Sequence, residues 1–432
     1  MKMHRRTGAA GMVVGALAAL VVTGQPAGAT DGYFQVGFGP RQSALGGAGV
    51  ADSRDAMAQT LNPAGIVGVG DQWQIGAAAF MPFRGYTAAG AGLPPRPGVD
   101  SDSNFFVMPN FAYVRQIDDV SAWGISVYGN GGMNTNYPAI ANPACPAPPA
   151  SAGAGVFCGG PAGVDLMQAF VSLDYARQFG PVKVGIAPTL AIQRFEAYGI
   201  GLFAPASSNP AAMTDRGYDY SIGGGLRAGI EWEAMPGLRF GVAGQTKMYM
   251  SKFDKYAGLF AEQGDFDIPA AITGGVAFDA SPNLTLMFDY QHIFYSGVAS
   301  ISNPSAPPPA GAPFGLSNGP GFGWHDVDVF KIGAEWRANE QWTFRAGYAY
   351  SDNPIQPADV TLNILAPGVT QHHITAGGSY KMSERSTIDF FAMYVPETTV
   401  TGPDFTGGGA PGSTVTLKMN QFLFGGGLTR KF

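Results

Sequence analysis

Leu284-Thr285-Leu286-Met287-Phe288-Asp289-Tyr290-Gln291 sorts by parity: Leu284, Leu286, Phe288 and Tyr290 form one apolar face, while Thr285, Asp289 and Gln291 fall on the other. Successive strand side chains point to opposite faces, so a period of two marks a β-strand. Trp342, Phe344, Ala346, Tyr348 and Tyr350 repeat the pattern against Thr343, Arg345, Gly347 and Ser351. Ile388, Phe390, Ala392 and Tyr394 do so against Thr387 and Asp389. From about Asp71 onward the chain falls into such segments, each near the roughly 9–11 residues that a tilted membrane strand needs.

A soluble sandwich has the same period, so the connections decide the solvent. Long Pro/Gly-rich stretches lie at about 83–103, 132–164, 197–215, 251–266, 298–323, 352–370 and 398–417. Short ones separate them, at Asp118-Asp119, Gly180-Pro181, Glu233 to Gly237, Ser281-Pro282, Ala338 to Glu340 and Ser383 to Arg385. Alternating long loops and tight turns are the pattern of outer-membrane barrels, long loops outside and turns in the periplasm. Seven long and six short connections join fourteen antiparallel strands, and the even number brings both barrel ends to the periplasmic side. The expected fold is all-β, a 14-stranded antiparallel transmembrane β-barrel. The outer membrane, with its lipid and lipopolysaccharide, is its expected surrounding, and a monomer its expected state.

Composition agrees. Charged residues make up 13% of the chain, about half the usual quarter, which suits a wall whose outer face meets lipid. The net charge of -6 argues against a nucleic-acid partner. Lys2, His4, Arg5 and Arg6, the apolar run Ala9 to Val22 and the triplet Ala27-Gly28-Ala29 lay out a secretory signal peptide over residues 1–29. The apolar run is too short to span a bilayer as a helix. Cys145 and Cys158, both in one Pro/Gly/Ala-rich stretch of an exported chain, are expected to form a loop-stapling disulfide. The five His residues show no ligand spacing, so neither metal nor cofactor is expected. No G-x-S-x-G motif occurs, and an enzyme is not expected.

Residues 30–70 do not read as a strand. They are Gly- and Ala-rich, with a short helix expected through Asp52 to Leu61 before Asn62-Pro63-Ala64-Gly65. A fourteen-strand barrel is too wide for its own side chains to fill. The segment therefore either plugs the lumen as an N-terminal hatch or hangs as a periplasmic tail, and the barrel proper is 71–432.

The stretch Gly39-Pro40-Arg41-Gln42-Ser43-Ala44-Leu45-Gly46-Gly47-Ala48-Gly49, followed by Ala56 to Gly65 with Asn62, Pro63 and Ala64, resembles the N-terminal hatch of the FadL/TodX family. These are outer-membrane transporters of long-chain fatty acids and aromatic hydrocarbons. The resemblance extends through fourteen segments, including Arg345-Ala346-Gly347-Tyr348-Ala349-Tyr350. The terminal Phe432 resembles the signal read by the barrel assembly machinery, although Arg430 stands where that signal has an apolar residue. The resemblance implies passive diffusion: an apolar ligand is caught outside, moves to a buried pocket and leaves sideways into the bilayer where one strand is kinked.

The third segment ends in Gly129-Asn130-Gly131-Gly132, and glycine within a strand marks a bulge or bend. These four residues are the candidate lateral opening, or else the start of the long loop. By resemblance Arg194, with Phe195, matches a basic pocket residue of the fatty-acid members. Alternation from Val182 instead sends Arg194 to the lipid side as a snorkelling interface arginine, unless Pro188 inserts a bulge. No counterpart of those members' second pocket cation is found. The expected function is passive, laterally exiting transport of hydrophobic compounds, long-chain fatty acids first, with aromatic hydrocarbons or a general porin as alternatives.

Overall fold

A computed structural model describes residues 31–148, 151–305 and 312–432. The signal peptide expected over 1–29 lies outside the described residues. Fourteen long strands form the wall: β1 (Gln72–Ala89), β2 (Phe106–Asp118), β3 (Ser121–Tyr137), β4 (Ala162–Phe179), β5 (Val182–Tyr198), β6 (Asp219–Met235), β7 (Leu238–Gln245), β8 (Ala271–Ser281), β9 (Leu284–Ile293), β10 (Val327–Arg337), β11 (Trp342–Ser351), β12 (His372–Ser383), β13 (Ser386–Pro403) and β14 (Thr414–Lys431). Each pairs antiparallel with its chain neighbour, and β14 closes on β1 from Gln72↔Lys431 to Ala89↔Thr414. Closure gives the edge strands a ladder partner, the condition for crossing lipid with strands. Among the described residues no helix is long and apolar enough to cross a membrane.

The parity of the opening stretch is the parity of the wall. Leu286, Phe288 and Tyr290 are exposed on the outside, while Thr285, Met287 and Asp289 are buried within. Phe330, Ile332 and Trp336 of β10 are likewise outward, with Lys331 and Glu335 inward. Every second connection is long, and the short turns of two to four residues lie at the opposite end of the barrel.

Several strands outrun the sequence pattern. β1 continues to Ala89, and β3 passes through the glycine cluster to Tyr137. These ends rise past the length a membrane strand needs and pack against loops. The helix expected through Asp52 to Leu61 is instead a 3-10 turn, Ala56–Thr60, with Asp55 as its cap. The Asp55 carboxylate takes the Ala58 N–H at 3.0 Å, and a second turn, Pro63–Ile66, begins two residues after Leu61.

Cys145 and Cys158 are bonded in the loop between β3 and β4. Neither lies on a barrel strand. Replacing both by Ser is therefore expected to loosen that loop to protease while heat-modifiable barrel mobility on gels stays unchanged. Loss of the folded band would contradict this.

Candidate functional site

Residues 31–70 lie against the inward faces of the strands and are buried almost throughout. The short helix Pro40–Ala44 carries Arg41 into an ionic hub. Its Nε reaches Glu335 of β10 at 2.8 Å, and its Nη2 reaches Asp52 at 2.6 Å. Asp52 also receives Arg54 and Arg239, each at 2.7 Å. Glu335 receives Arg345 of β11 at 2.8 Å, which in turn meets Asp389 at 3.3 Å. On the other flank the Gly49 and Val50 N–H groups donate to Asp289 of β9 at 2.8 and 2.9 Å. Burial works against the charge of Asp52, but Arg41 and Arg54 outweigh it and hold its pKa below the usual carboxylate range. Burial pushes Asp55 up, and Arg41 offsets only part of that.

Asn62, Pro63 and Ala64 sit against β5 and β6. The Asn62 carboxamide oxygen accepts from the Ala64 N–H at 3.0 Å, and its nitrogen donates to the Val50 and Ile230 carbonyls at 2.8 and 3.0 Å. One side chain thus caps the Pro63–Ile66 turn and ties it both to the segment and to the wall. Pro63 and Ala64 press on Gly185 of β5, where a Cβ would fall 2.3 Å from their backbone.

Gly129, Asn130, Gly131 and Gly132 are strand residues, not loop. Along β4 the register steps from Gly129↔Ala169 to Gly131↔Gln168, which leaves Asn130 as a bulge. On its other side β3 pairs with β2 only as far as Asn110↔Tyr128. Residues Phe106 to Pro109 of β2 stay with β1. Among the described residues β3 has no ladder partner in β2 beyond Tyr128, so the wall parts there. The N-terminal segment crosses this parting: the Gln35 N–H donates to the Asn130 carbonyl at 3.2 Å, and Phe34 bridges Gly131. A Cβ on Gly131 would fall 1.8 Å from the Tyr33 carbonyl oxygen, so only glycine admits this approach. Gln35, Phe38, Met108, Asn110 and Gly129 line a small cavity beside it.

The long loops enclose a second, apolar cavity, lined by Phe195, Phe203, Phe260, Phe314, Phe322 and Leu365 among others. Phe195 is fully buried on the inward face of β5, its ring centroid 4.7 Å from Phe260 and 4.8 Å from Tyr256. Arg194 does not share this cavity. The β5–β6 register runs without a shift through Pro188 to Phe195↔Asp219, so alternation is not reset and Arg194 faces outward. There it pairs with Asp165 at 2.9 Å and lies 4.3 Å over the Tyr218 ring. The expectation that Arg194 and Phe195 form one ligand contact is thus corrected: adjacent residues of a strand point apart, and Arg194 serves an outer-wall ion pair.

Two groups of interior residues went unread in the sequence. Glu335 and Lys331 stand inward on β10, a strand whose parity follows from its apolar outer face. Arg84 stands inward on β1, at a point where Pro82 and Gly85 suggest a loop. Phe432 completes the closure: its N–H donates to the Asp71 carbonyl at 3.2 Å, and its ring stacks on Tyr113.

A closed fourteen-strand barrel with an apolar outer face and a segment of its own chain inside defines an outer-membrane β-barrel protein. The chain belongs to the outer membrane protein transport protein family (OMPP1/FadL/TodX), whose model matches residues 163–432. A long-chain fatty acid transport protein of Salmonella typhi is 23% identical over 321 residues, 67% of this chain and 69% of that one. Among solved structures, the toluene transporter TodX of P. putida is 15% identical with a TM-score of 0.66, over 92% of this chain and 99% of that one. The toluene transporter TbuX of Ralstonia pickettii is 19% identical with a TM-score of 0.62, over the same shares of 92% and 99%.

Proposed function

We propose that this protein carries hydrophobic compounds across the outer membrane by passive diffusion, with lateral exit into the bilayer. The ligand enters the apolar cavity under the loops and meets an interior closed by residues 31–70. It leaves where β3 separates from β2. The parting of these strands above Asn110 carries the proposal, because a barrel filled by its own N-terminal segment needs a side door. An aqueous route would leave an apolar ligand wet, at a cost of about 25 cal/mol for each Å² exposed. Residues 30–70 act as the hatch, with Asn62, Pro63 and Ala64 as its wall contact, and Phe432 is the assembly signal. Long-chain fatty acids are the first substrate class, as in the name of the Salmonella relative, and aromatic hydrocarbons, as in TodX and TbuX, the second.

The test is expression in a Gram-negative host that lacks such a transporter. Oleate and toluene accumulation should rise, and the purified protein should pass little current in planar bilayers. Large, steady ion currents without accumulation would make it an open porin.

A further inference from the structure

The outward face of β13, β14 and β1 changes character at one height. Phe390, Tyr394, Phe422, Phe424 and Phe83 are exposed along it. Past them the same face carries Lys418, Thr416, Thr401 and Thr87. Phe83 lies eleven residues beyond Gln72, the periplasmic end of β1, which is about 28 Å at roughly 2.5 Å of height per tilted residue. The apolar band of such a barrel is about 25 Å tall and ends in an aromatic girdle. The change therefore marks the level where hydrocarbon gives way to the headgroups of the outer leaflet.

A groove of about 200 Å³ opens in the outer wall at this level, lined by Phe83, Asn420, Lys418, Asp100, Asn104 and Glu397 among others. Three local features make it. On β13 the register steps from Val395↔Gln421 to Thr398↔Met419, a bulge that sets Pro396 and Glu397 against the single Asn420. Gly85 leaves room for the Asp100–Lys418 ion pair, 2.8 Å long, since a Cβ there would fall 2.3 Å from Asp100 Oδ1. The ladder on the other side of β1 stops at Phe80↔Phe106 and resumes at Gly85↔Asp100. Through this gap Arg84, an inward residue, also lines the groove.

The groove holds polar capacity that the chain itself does not use. Arg84 is 5% exposed. Its Nη2 donates to the Ser103 carbonyl at 2.5 Å, and its Nε has no acceptor. Asn104 Oδ1 is buried without a donor. A guanidinium is always charged, and leaving its N–H groups buried and unused is costly. Two cations, Arg84 and Lys418, thus share a space with the carboxylates of Asp100 and Glu397. A bare anion would be drawn by the first pair and repelled by the second. A phosphorylated sugar satisfies both, because its phosphate accepts from the cations and its hydroxyl groups donate to the carboxylates and to Asn104. Below the groove the rings of Phe83 and Phe422, 6.4 Å apart, offer a bed for acyl chains.

We propose that this groove binds the phosphorylated sugar headgroup of a lipopolysaccharide molecule in the outer leaflet, its acyl chains lying along Phe83, Phe422 and Tyr394. The site is on the lipid side of β13, β14 and β1, apart from the loop cavity, and it stands whether or not the transport reading does.

Native mass spectrometry of the whole barrel, refolded in detergent free of lipopolysaccharide, tests this with three probes: diphosphoryl lipid A, the same lipid stripped of its phosphates, and phosphatidylglycerol. The wild type should hold one diphosphoryl lipid A about tenfold more tightly than either of the others, as charge-assisted hydrogen bonds allow. Lys418→Gln should remove most of that preference. Lys381→Gln, at the periplasmic end of β12, should keep it. Equal wild-type affinity for the phosphorylated and stripped lipids overturns the assignment, and this comparison needs no variant. Phosphatidylglycerol bound as tightly as lipid A overturns the role of the sugar. Unchanged binding in Lys418→Gln places the lipid elsewhere on the wall, and displacement by inorganic phosphate alone reduces the groove to an ion site; either result overturns the proposal.

Discussion

Deleting Asn130 is expected to lower uptake of oleate and toluene at least about tenfold while the barrel still assembles. Asn130 is the one residue of β3 that β4 leaves unpaired, between Gly129↔Ala169 and Gly131↔Gln168. A bulge bends its strand, and this one sits two residues beyond Tyr128, the last position at which β2 and β3 remain paired. Tyr128 precedes the bulge on the inward face, and Met133 follows it on the same face. Removing the extra residue therefore restores unbroken alternation and keeps both side chains inward. The straightened strand can then extend its ladder toward Phe106 to Pro109, and the opening closes. Heat-modifiable mobility on gels separates a closed barrel from an unfolded one. Uptake at the wild-type rate in an assembled deletion variant would put the exit elsewhere.

The sequence displays what faces lipid better than what faces the lumen, for a physical reason. Lipid accepts only apolar side chains, so Phe288 and Trp336 keep a strict period of two. The lumen here is neither water nor lipid but folded chain. Its wall carries a carboxylate where the segment offers a cation, as at Glu335, or backbone N–H groups, as at Asp289, and a glycine where the backbone presses close. At Gly241 a Cβ would fall 2.3 Å from the Val50 carbonyl oxygen. Inward positions thus follow contacts made by residues about two hundred or more positions away, which no local window holds. The same cause hides the upper half of β3, buried on both faces from Tyr128 to Thr135. Its Gly-Asn-Gly-Gly composition resembles a loop because the N-terminal segment, and not lipid, covers it. Arg84 was lost in the same way. Arg194 shows the converse: alternation alone places it correctly outward, and the family likeness points it inward.

Replacing Glu335 by Ala is expected to unseat the N-terminal segment and raise the ion current through the barrel. Arg41 and Arg345 each approach the Glu335 carboxylate at 2.8 Å, Arg337 at 3.4 Å and Arg54 at 3.6 Å. Arg41, Arg345 and Glu335 itself are all nearly inaccessible to solvent. Breaking a buried pair of this kind costs about 3–5 kcal/mol, because the partner charges stay behind without compensation. Asp52 and Asp389 still hold Arg41 and Arg345, so the cost falls at the lower end of that range. The barrel's own ladder does not pass through Glu335's side chain, which confines the loss to the seating of residues 31–70. Glu335→Gln, which keeps the shape and removes the charge, should open the barrel nearly as often. Acidification should act more weakly. Asp52, held below its ordinary value, gives stability that is present above the unfolded carboxylate pKa of about 4 and is lost as pH falls through the folded one. Asp55, raised by burial, works in the opposite direction, because its folded form takes up a proton first. The seat should therefore hold through mildly acid pH in the wild type and fail at neutral pH in Glu335→Ala. Quiet bilayers with the alanine variant, alongside a normal heat-modifiable band, would mean that this ionic hub does not hold the segment in place.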